Sequence, residues 1–275
     1  MERPRNFRIH SIALVKNEAD IVRYCLEEAL KWSDFIYVYD GASTDGTLEI
    51  LRSMQSDRII LFKSDGCVFR ESLRADVFNA YRHLAREGDW WCQLNVDEFY
   101  VDDPRVFLST VPPSCHVVWG LMIQYYLTPQ DLDKLDFSQR AEKLLPQIRY
   151  YKVDCAERRF FRYRSRLIWP DDSAWPKHLG LAHKELIRFR HYPYRSPQQI
   201  QMRLDVRRDN RARGFCGWEH AKEACWREKL VSPQQLQFDR GNDEFVVDPR
   251  RVPNYRGSWP RRLVQRLMHG VGIWP

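Results

Sequence analysis

Gln93-Leu94-Asn95-Val96-Asp97-Glu98-Phe99-Tyr100 is the stretch from which the rest of the chain is read. An apolar run, Trp90, Trp91, Cys92, Leu94 and Val96, stops at two adjacent carboxylates. A short run of this kind reads as a buried strand. Carboxylates at the C-terminal end of such a strand stand where open α/β sheets bind ligands. Paired there, they can hold a hard divalent cation, which favours oxygen ligands and bridges phosphates. A strand end followed by a solvated acidic turn has the same local pattern, because Asp102 and Asp103 follow closely. The neighbouring segments decide between the two.

Upstream, strand and helix patterns alternate. Phe7 to Val15 reads as a strand that ends at Lys16-Asn17-Glu18. Ile21, Cys25, Ala29 and Trp32 then recur at helical spacing, with Asn17 as the expected N-cap and Asp20 in the first turn. Phe35 to Tyr39 is a second strand, ending at Asp40, and the polar loop Gly41-Ala42-Ser43-Thr44-Asp45-Gly46-Thr47 opens a second helix. Ile59 to Phe62 is a third strand, and Ser72 to Glu87 a helix with Leu73, Val77, Ala80, Tyr81 and Leu84 inward. This alternation predicts a mostly parallel central sheet with helices on both faces. Parallel strands put their C-terminal ends on one edge, so Lys16-Asn17-Glu18, Asp40 and Asp97 are expected to converge.

The second half is less regular. Cys115 to Tyr126 and Leu186 to His191 read as strands, Thr128 to Pro146 as a loop with a helical piece, and Tyr150 to Leu167 as a stretch dense in Arg and aromatics. A helix follows with Ser196 as N-cap and Pro197 at its first position. No internal repeat or low-complexity tract divides the 275 residues. The expected organisation is one α/β domain over residues 1–248, with a nucleotide-binding half (1–103), an acceptor half (104–248) and an irregular C-terminal elaboration, then a tail over 249–275.

Hydrophobic content of 44% with 29% charged residues is that of a soluble globular protein. A net charge of +7 suits anionic partners. The seven cysteines, Cys25, Cys67, Cys92, Cys115, Cys155, Cys216 and Cys225, include no CxxC pair, so they read as reduced thiols of a cytoplasmic protein. The charged segment Met1 to Arg8 has no apolar leader region, and no apolar run approaches the ~20 residues that span a bilayer. From Pro249 onward there are six Arg and no Asp or Glu, ending in Leu263, Val264, Leu267, Met268, Val271, Ile273 and Trp274. Such a basic, apolar tail suits peripheral contact with the anionic inner face of a membrane, and a frayed or core-docked terminus is its alternative.

Three motifs now stand in order: Val15-Lys16-Asn17-Glu18, Asp40-Gly41-Ala42-Ser43-Thr44-Asp45-Gly46-Thr47 and Asn95-Val96-Asp97-Glu98-Phe99. Together they resemble GT-A-type glycosyltransferases of the family-two kind, over about the first hundred residues. His191-Tyr192-Pro193-Tyr194-Arg195-Ser196 resembles the late His segment of the branch with an Asp-x-Asp-Glu-Phe motif. The resemblance implies a GT-A-like fold and inverting transfer from a nucleotide-sugar donor to a glycan or lipid-linked acceptor, helped by Mn2+ or Mg2+. It also implies that the product is a cell-surface or secreted glycan.

By that resemblance Val15, Asn17, Glu18 and Asp40 hold the nucleobase and ribose. Asp45 lies beside them, and Arg74 with Asp76 lines the nucleotide. Asp97 and His191 are the implied metal ligands, with His178 and His183 as rivals for the imidazole. Asn95 departs from the acidic residue usual in the family and keeps only hydrogen bonding to a ribose hydroxyl. The base that takes the acceptor proton is sought among Asp171 and Asp172, which flanking Trp169 and Trp175 would set against a sugar, and Glu98, with Glu157 a further rival.

Arg203, Arg207 and Arg211 form an i, i+4, i+8 stripe, either a solvated face or a contact for an anionic acceptor. A nucleotidyltransferase is a second reading, weakened by the lack of glycine in Lys16-Asn17-Glu18-Ala19-Asp20. A nucleic-acid-binding protein is a third, weakened by 37 acidic residues and no recognition motif.

Overall fold

The computed structural model describes residues 7–215, 223–248, 250, 252 and 255–275. Cys216, Pro249 and most of Met1 to Arg8, singled out above, lie outside the described residues. The first part follows the expected alternation: β1 (Ile9–Val15), α1 (Val22–Ala29), β2 (Phe35–Asp40), α2 (Thr47–Ser53), β3 (Ile59–Ser64), α3 (Leu73–Tyr81) and β4 (Trp90–Leu94). Then come β5 (Glu98–Tyr100), α4 (Pro104–Thr110), β6 (Val117–Tyr126), α5 (Asp131–Lys134), α6 (Ala141–Leu144), β7 (Tyr150–Arg162), β8 (Ile187–His191), α7 (Pro197–Ala212), β9 (Gln237–Phe238) and α8 (Trp259–Gly270).

All the strands join one sheet, in the order β3-β2-β1-β4-β7-β6-β8-β5, with β9 added to β7. The fold is α/β, with helices on both faces. Side chains of β1 alternate between them: Ile9, Ala13 and Val15 pack with Val22, Cys25 and Leu26 of α1, while Ile12 packs with Leu73, Val77 and Phe78 of α3. A third core lies under β6, β7 and α7, around Ile123, Tyr151, Ile200 and Leu204.

The expectation of a mostly parallel sheet is corrected. Pairing is parallel from β3 through β4 and again between β6 and β8, but antiparallel at β4–β7, β6–β7, β5–β8 and β7–β9. Parallel neighbours need a long crossover, usually a helix. Between β6 and β7 the described chain has short helical pieces alone, the four-residue α5 and α6 and a 3-10 turn at Leu145–Gln147.

Two local expectations also change. Helix α1 starts at Val22 without a side-chain cap, because Asn17 has turned into the left-handed region (φ 55°) and accepts from the Thr44 backbone N–H at 2.8 Å instead. Helix α3 ends at Tyr81, and Ala80 is exposed while Phe78 fills the core. The start of α7 is as expected: Ser196 accepts from the Gln199 N–H at 3.1 Å and Pro197 occupies the first turn.

Glycine at position 120 is required by close approach. A Cβ there would lie 2.5 Å from the Phe189 ring and 2.9 Å from Arg159 Cγ. Phe189 is fully buried, and the Arg159 guanidinium lies 4.6 Å from its ring centroid. Overpacking of this kind costs about 1–3 kcal/mol. Gly120→Ala is expected to lower the unfolding free energy by that amount, read as a lower urea midpoint at unchanged slope.

Candidate functional site

A cavity of about 740 Å³ opens at the C-terminal ends of β1 and β4 and is walled on its far side by α7. The turn after β4 decides its chemistry. The expected strand to Val96 stops at Leu94, Asp97 sits in the turn, and Glu98 opens β5. Because β5 pairs antiparallel with β8, Glu98 faces His191 as its register partner. The Tyr192 N–H donates to the Asp97 carbonyl at 2.8 Å and locks that register.

Asp97, Glu98 and His191 thereby offer ligand atoms within 4.8 Å of one another. His191 Nε2 lies 3.2 Å from Asp97 Oδ2, and Arg203 donates to the same oxygen at 2.9 Å. Burial pushes the Asp97 carboxyl up, but His191 and Arg203 outweigh it and hold Asp97 well below the usual carboxylate range. Burial pushes Glu98 up to about 7, against the opposing pull of Arg159 and His191. Glu98 Oε1 accepts from Asn95 Nδ2 at 2.9 Å and from Arg159, while its Oε2 is buried with no hydrogen-bond partner among the described residues. An orphaned carboxylate oxygen beside an ionised aspartate and an imidazole fits a divalent cation.

Glu18 enters the same cluster. Arg203 Nη1 reaches Glu18 Oε1 at 3.4 Å, and the buried Arg195 binds Glu18 and Asp20, the latter at 2.9 Å. Burial raises the Glu18 pKa, with Arg195 and Arg203 opposing. Val15, Asn17, Arg74 and Asn95 also line the cavity, and Arg74 donates to Asn95 Oδ1 at 2.9 Å.

Other expected site residues are placed elsewhere. Asp40 is fully buried and does not border this cavity. Its carboxylate is taken by the Ser43 N–H and by the hydroxyls of Ser43 and Ser64 (2.7 Å for the latter). Asp45 accepts from the backbone N–H groups of Thr47 at 3.0 Å and Ala19 at 3.1 Å, stitching the second loop to the first. Asp76 pairs with Arg70 at 3.7 Å rather than standing with Arg74.

Asp171 and Asp172 are exposed on a turn outside the cavity. Their flanking tryptophans serve the core: Trp169 is buried among Phe78 and Phe161 and stacks parallel to Trp175. Of the other candidate bases, Glu98 and Glu157 both border the cavity, Glu157 half exposed and held by Arg159 at 2.9 Å. His183 is buried against Phe107, and His178 stacks on Trp274, so neither competes with His191.

Of the cations around the cavity, the sequence marks Arg203 and Arg207 as an anion contact but gives Arg159 no site role. Arg159 lies inside the aromatic-rich stretch 150–167, and its sign was the odd placing of a charge amid strand residues. Arg203 and Arg207 of the α7 stripe both face the cavity, whereas Arg211 does not and Arg213 beyond the helix does. Arg203 thus supplies a resident positive charge where a metal would be held. One unit charge at ~4 Å is worth about 4 kcal/mol at an effective dielectric constant of 20, and screening leaves part of that. Arg203→Ala is expected to raise Mn2+ affinity by about tenfold or more. Calorimetric titration of the metal into wild type and variant is the check, and equal or weaker binding would place the cation elsewhere.

Among known proteins, no family model and no curated relative matches this chain.

Proposed function

We propose that this chain is a metal-dependent glycosyltransferase, moving a sugar from a nucleotide-sugar donor to a glycan or lipid-linked acceptor with inversion. The observation that carries the reading is the meeting of opposite chemistries in one cavity. A cation-holding set, Asp97, Glu98 and His191, faces Arg74, Arg203 and Arg207, which suit an anionic diphosphate. The resemblance of the three strand-end motifs to GT-A-type enzymes supports the same reading. Asn17 and Glu18 on one wall and Asn95 on another supply donors and acceptors for a ribose and base.

Asp97, Glu98 and His191 would hold the ion, and an Mn2+ or Mg2+ bound there supplies Lewis-acid neutralisation of the departing diphosphate. Arg203 and Arg207 clamp the diphosphate oxygens. With Asp171 and Asp172 outside the cavity and Glu98 assigned to the ion, Glu157 takes the acceptor hydroxyl proton as the hydroxyl attacks the anomeric carbon. Arg159 orients Glu157 and balances Glu98.

A donor screen tests the reading, scoring release of nucleoside diphosphate from nucleotide sugars with and without Mn2+, alongside thermal shifts with the diphosphates. Stabilisation by at least one nucleoside diphosphate that requires Mn2+ is expected, and its absence across all of them sinks the proposal. Asp97→Asn should keep its circular dichroism and lose about 100-fold or more of metal-dependent turnover. Glu157→Gln should lose about 10²–10⁴-fold in kcat with donor binding retained. Weakened donor binding instead would move Glu157 to the donor side.

A further inference from the structure

Helix α8 has two faces of unlike character. One is pinned to the body: Gln265 donates to the Gly180 carbonyl at 3.3 Å and the His269 ring lies 5.3 Å from that of His116. Just beyond the helix, Trp274 stacks on His178 at 4.3 Å and Arg166 donates to the Gly272 carbonyl at 2.8 Å. Positions 263 and 267 are each two residues from 265, about 200° around the helix, and so lie opposite the pinned face. Trp259, Leu263, Leu267 and Val271 fall at four-residue steps and form an apolar stripe there. All four are exposed, Trp259 at 66%, Leu267 at 58% and Val271 at 67% of their surface, and Ile273 continues the stripe at 60%. Packing onto the body therefore leaves the apolar side of the helix outward.

The charge carried by this segment is one-signed. Residues 249–275 carry six Arg and no Asp or Glu, and Arg256, Arg261 and Arg266 are exposed. A second copy of the chain seated on this face would bring two sets of arginines together, which like-charge repulsion opposes. An anionic bilayer surface satisfies both features at once, taking the apolar stripe into the acyl boundary and the guanidinium groups to headgroup phosphates and carboxylates. At 12 residues the helix is about 18 Å long, too short to cross and suited to lying flat. No helix among the described residues is long and apolar enough to span a membrane.

We infer that α8 is a docking device for anionic phospholipid, holding the protein at a leaflet surface through Trp259, Leu263, Leu267 and Val271 with its arginines as the charge-selective part. The inference rests on α8 alone and stands whatever reaction the cavity performs.

Flotation of the full chain tests it, with vesicles of phosphatidylcholine alone and of phosphatidylcholine mixed with phosphatidylserine. The chain is expected to float with the mixed vesicles and not with the neutral ones, and added salt should weaken the association. The double variant Leu263→Asp, Leu267→Asp should lose about tenfold or more of the partitioning at an unchanged melting temperature, since both side chains face solvent. Arg256→Gln with Arg266→Gln should weaken the preference for phosphatidylserine and leave the helix docked. Failure of the intact chain to float with anionic vesicles overturns the inference, as does full binding by the Leu263/Leu267 variant. So does a concentration-dependent dimer in sedimentation that this variant abolishes, which would make a second copy the occupant.

Discussion

Buried charge has to be matched, and that requirement ties the two halves of this chain together. Glu18, Asp97 and Glu98 are each nearly or fully removed from water, and an isolated carboxylate there would cost several kcal/mol. The compensating groups come from far along the chain: Arg159 from β7, His191 from the end of β8, Arg195 from the turn before α7 and Arg203 from α7 itself. Each pair spans a large sequence separation, so the acidic ends of the N-terminal strands cannot be buried until the C-terminal elements have docked. Hydrophobic burial of the three cores supplies the bulk of the stability, while the charge network links the N-terminal strand ends to the C-terminal elements.

Much of that arrangement could be read in the chain. The alternation through β4 comes from apolar periodicity within short segments, and the order and type of its strands and helices follow the pattern, while α3 and β4 end earlier than expected. Of the strand ends expected to converge, Lys16-Asn17-Glu18 and Asp97 do line one cavity, while Asp40 does not; His191, implied only by the resemblance, lies there too. The antiparallel strands were not legible, because their pairing depends on how the chain turns back rather than on composition. Glu98 shows this best. In sequence it is the second acid of a terminated strand, but in space it is the first residue of a new strand on the far edge of the sheet, opposite His191.

The tryptophans of the 169–175 turn went astray for a related reason. An aromatic next to exposed carboxylates has the composition of a sugar platform, and composition carries no direction. In the fold the rings point inward, onto Phe78 and Phe161, and the carboxylates outward. The arginines behaved in the opposite way, since a basic stripe on a helix is usually solvated and here two of its members point into the cavity. In both cases the deciding fact is which neighbour covers the face, and that neighbour is distant in sequence.

The acids themselves separate into two kinds by what remains for a ligand to satisfy. Asp40 and Asp45 accept from backbone N–H groups and hydroxyls of their own loops, and with those bonds made they act as fasteners between the ends of β1 and β2. Opening them to a nucleotide would unmake the loops that position Asn17 and Glu18. Glu98 keeps a buried oxygen with no partner among the described residues, and Asp97 is held ionised by an imidazole and a guanidinium. A buried acceptor left unsatisfied is costly and persists where function requires it. On that criterion Asp97, Glu98 and His191 are the groups whose geometry leaves room for a cation, and Asp40 and Asp45 belong to the frame around the cavity.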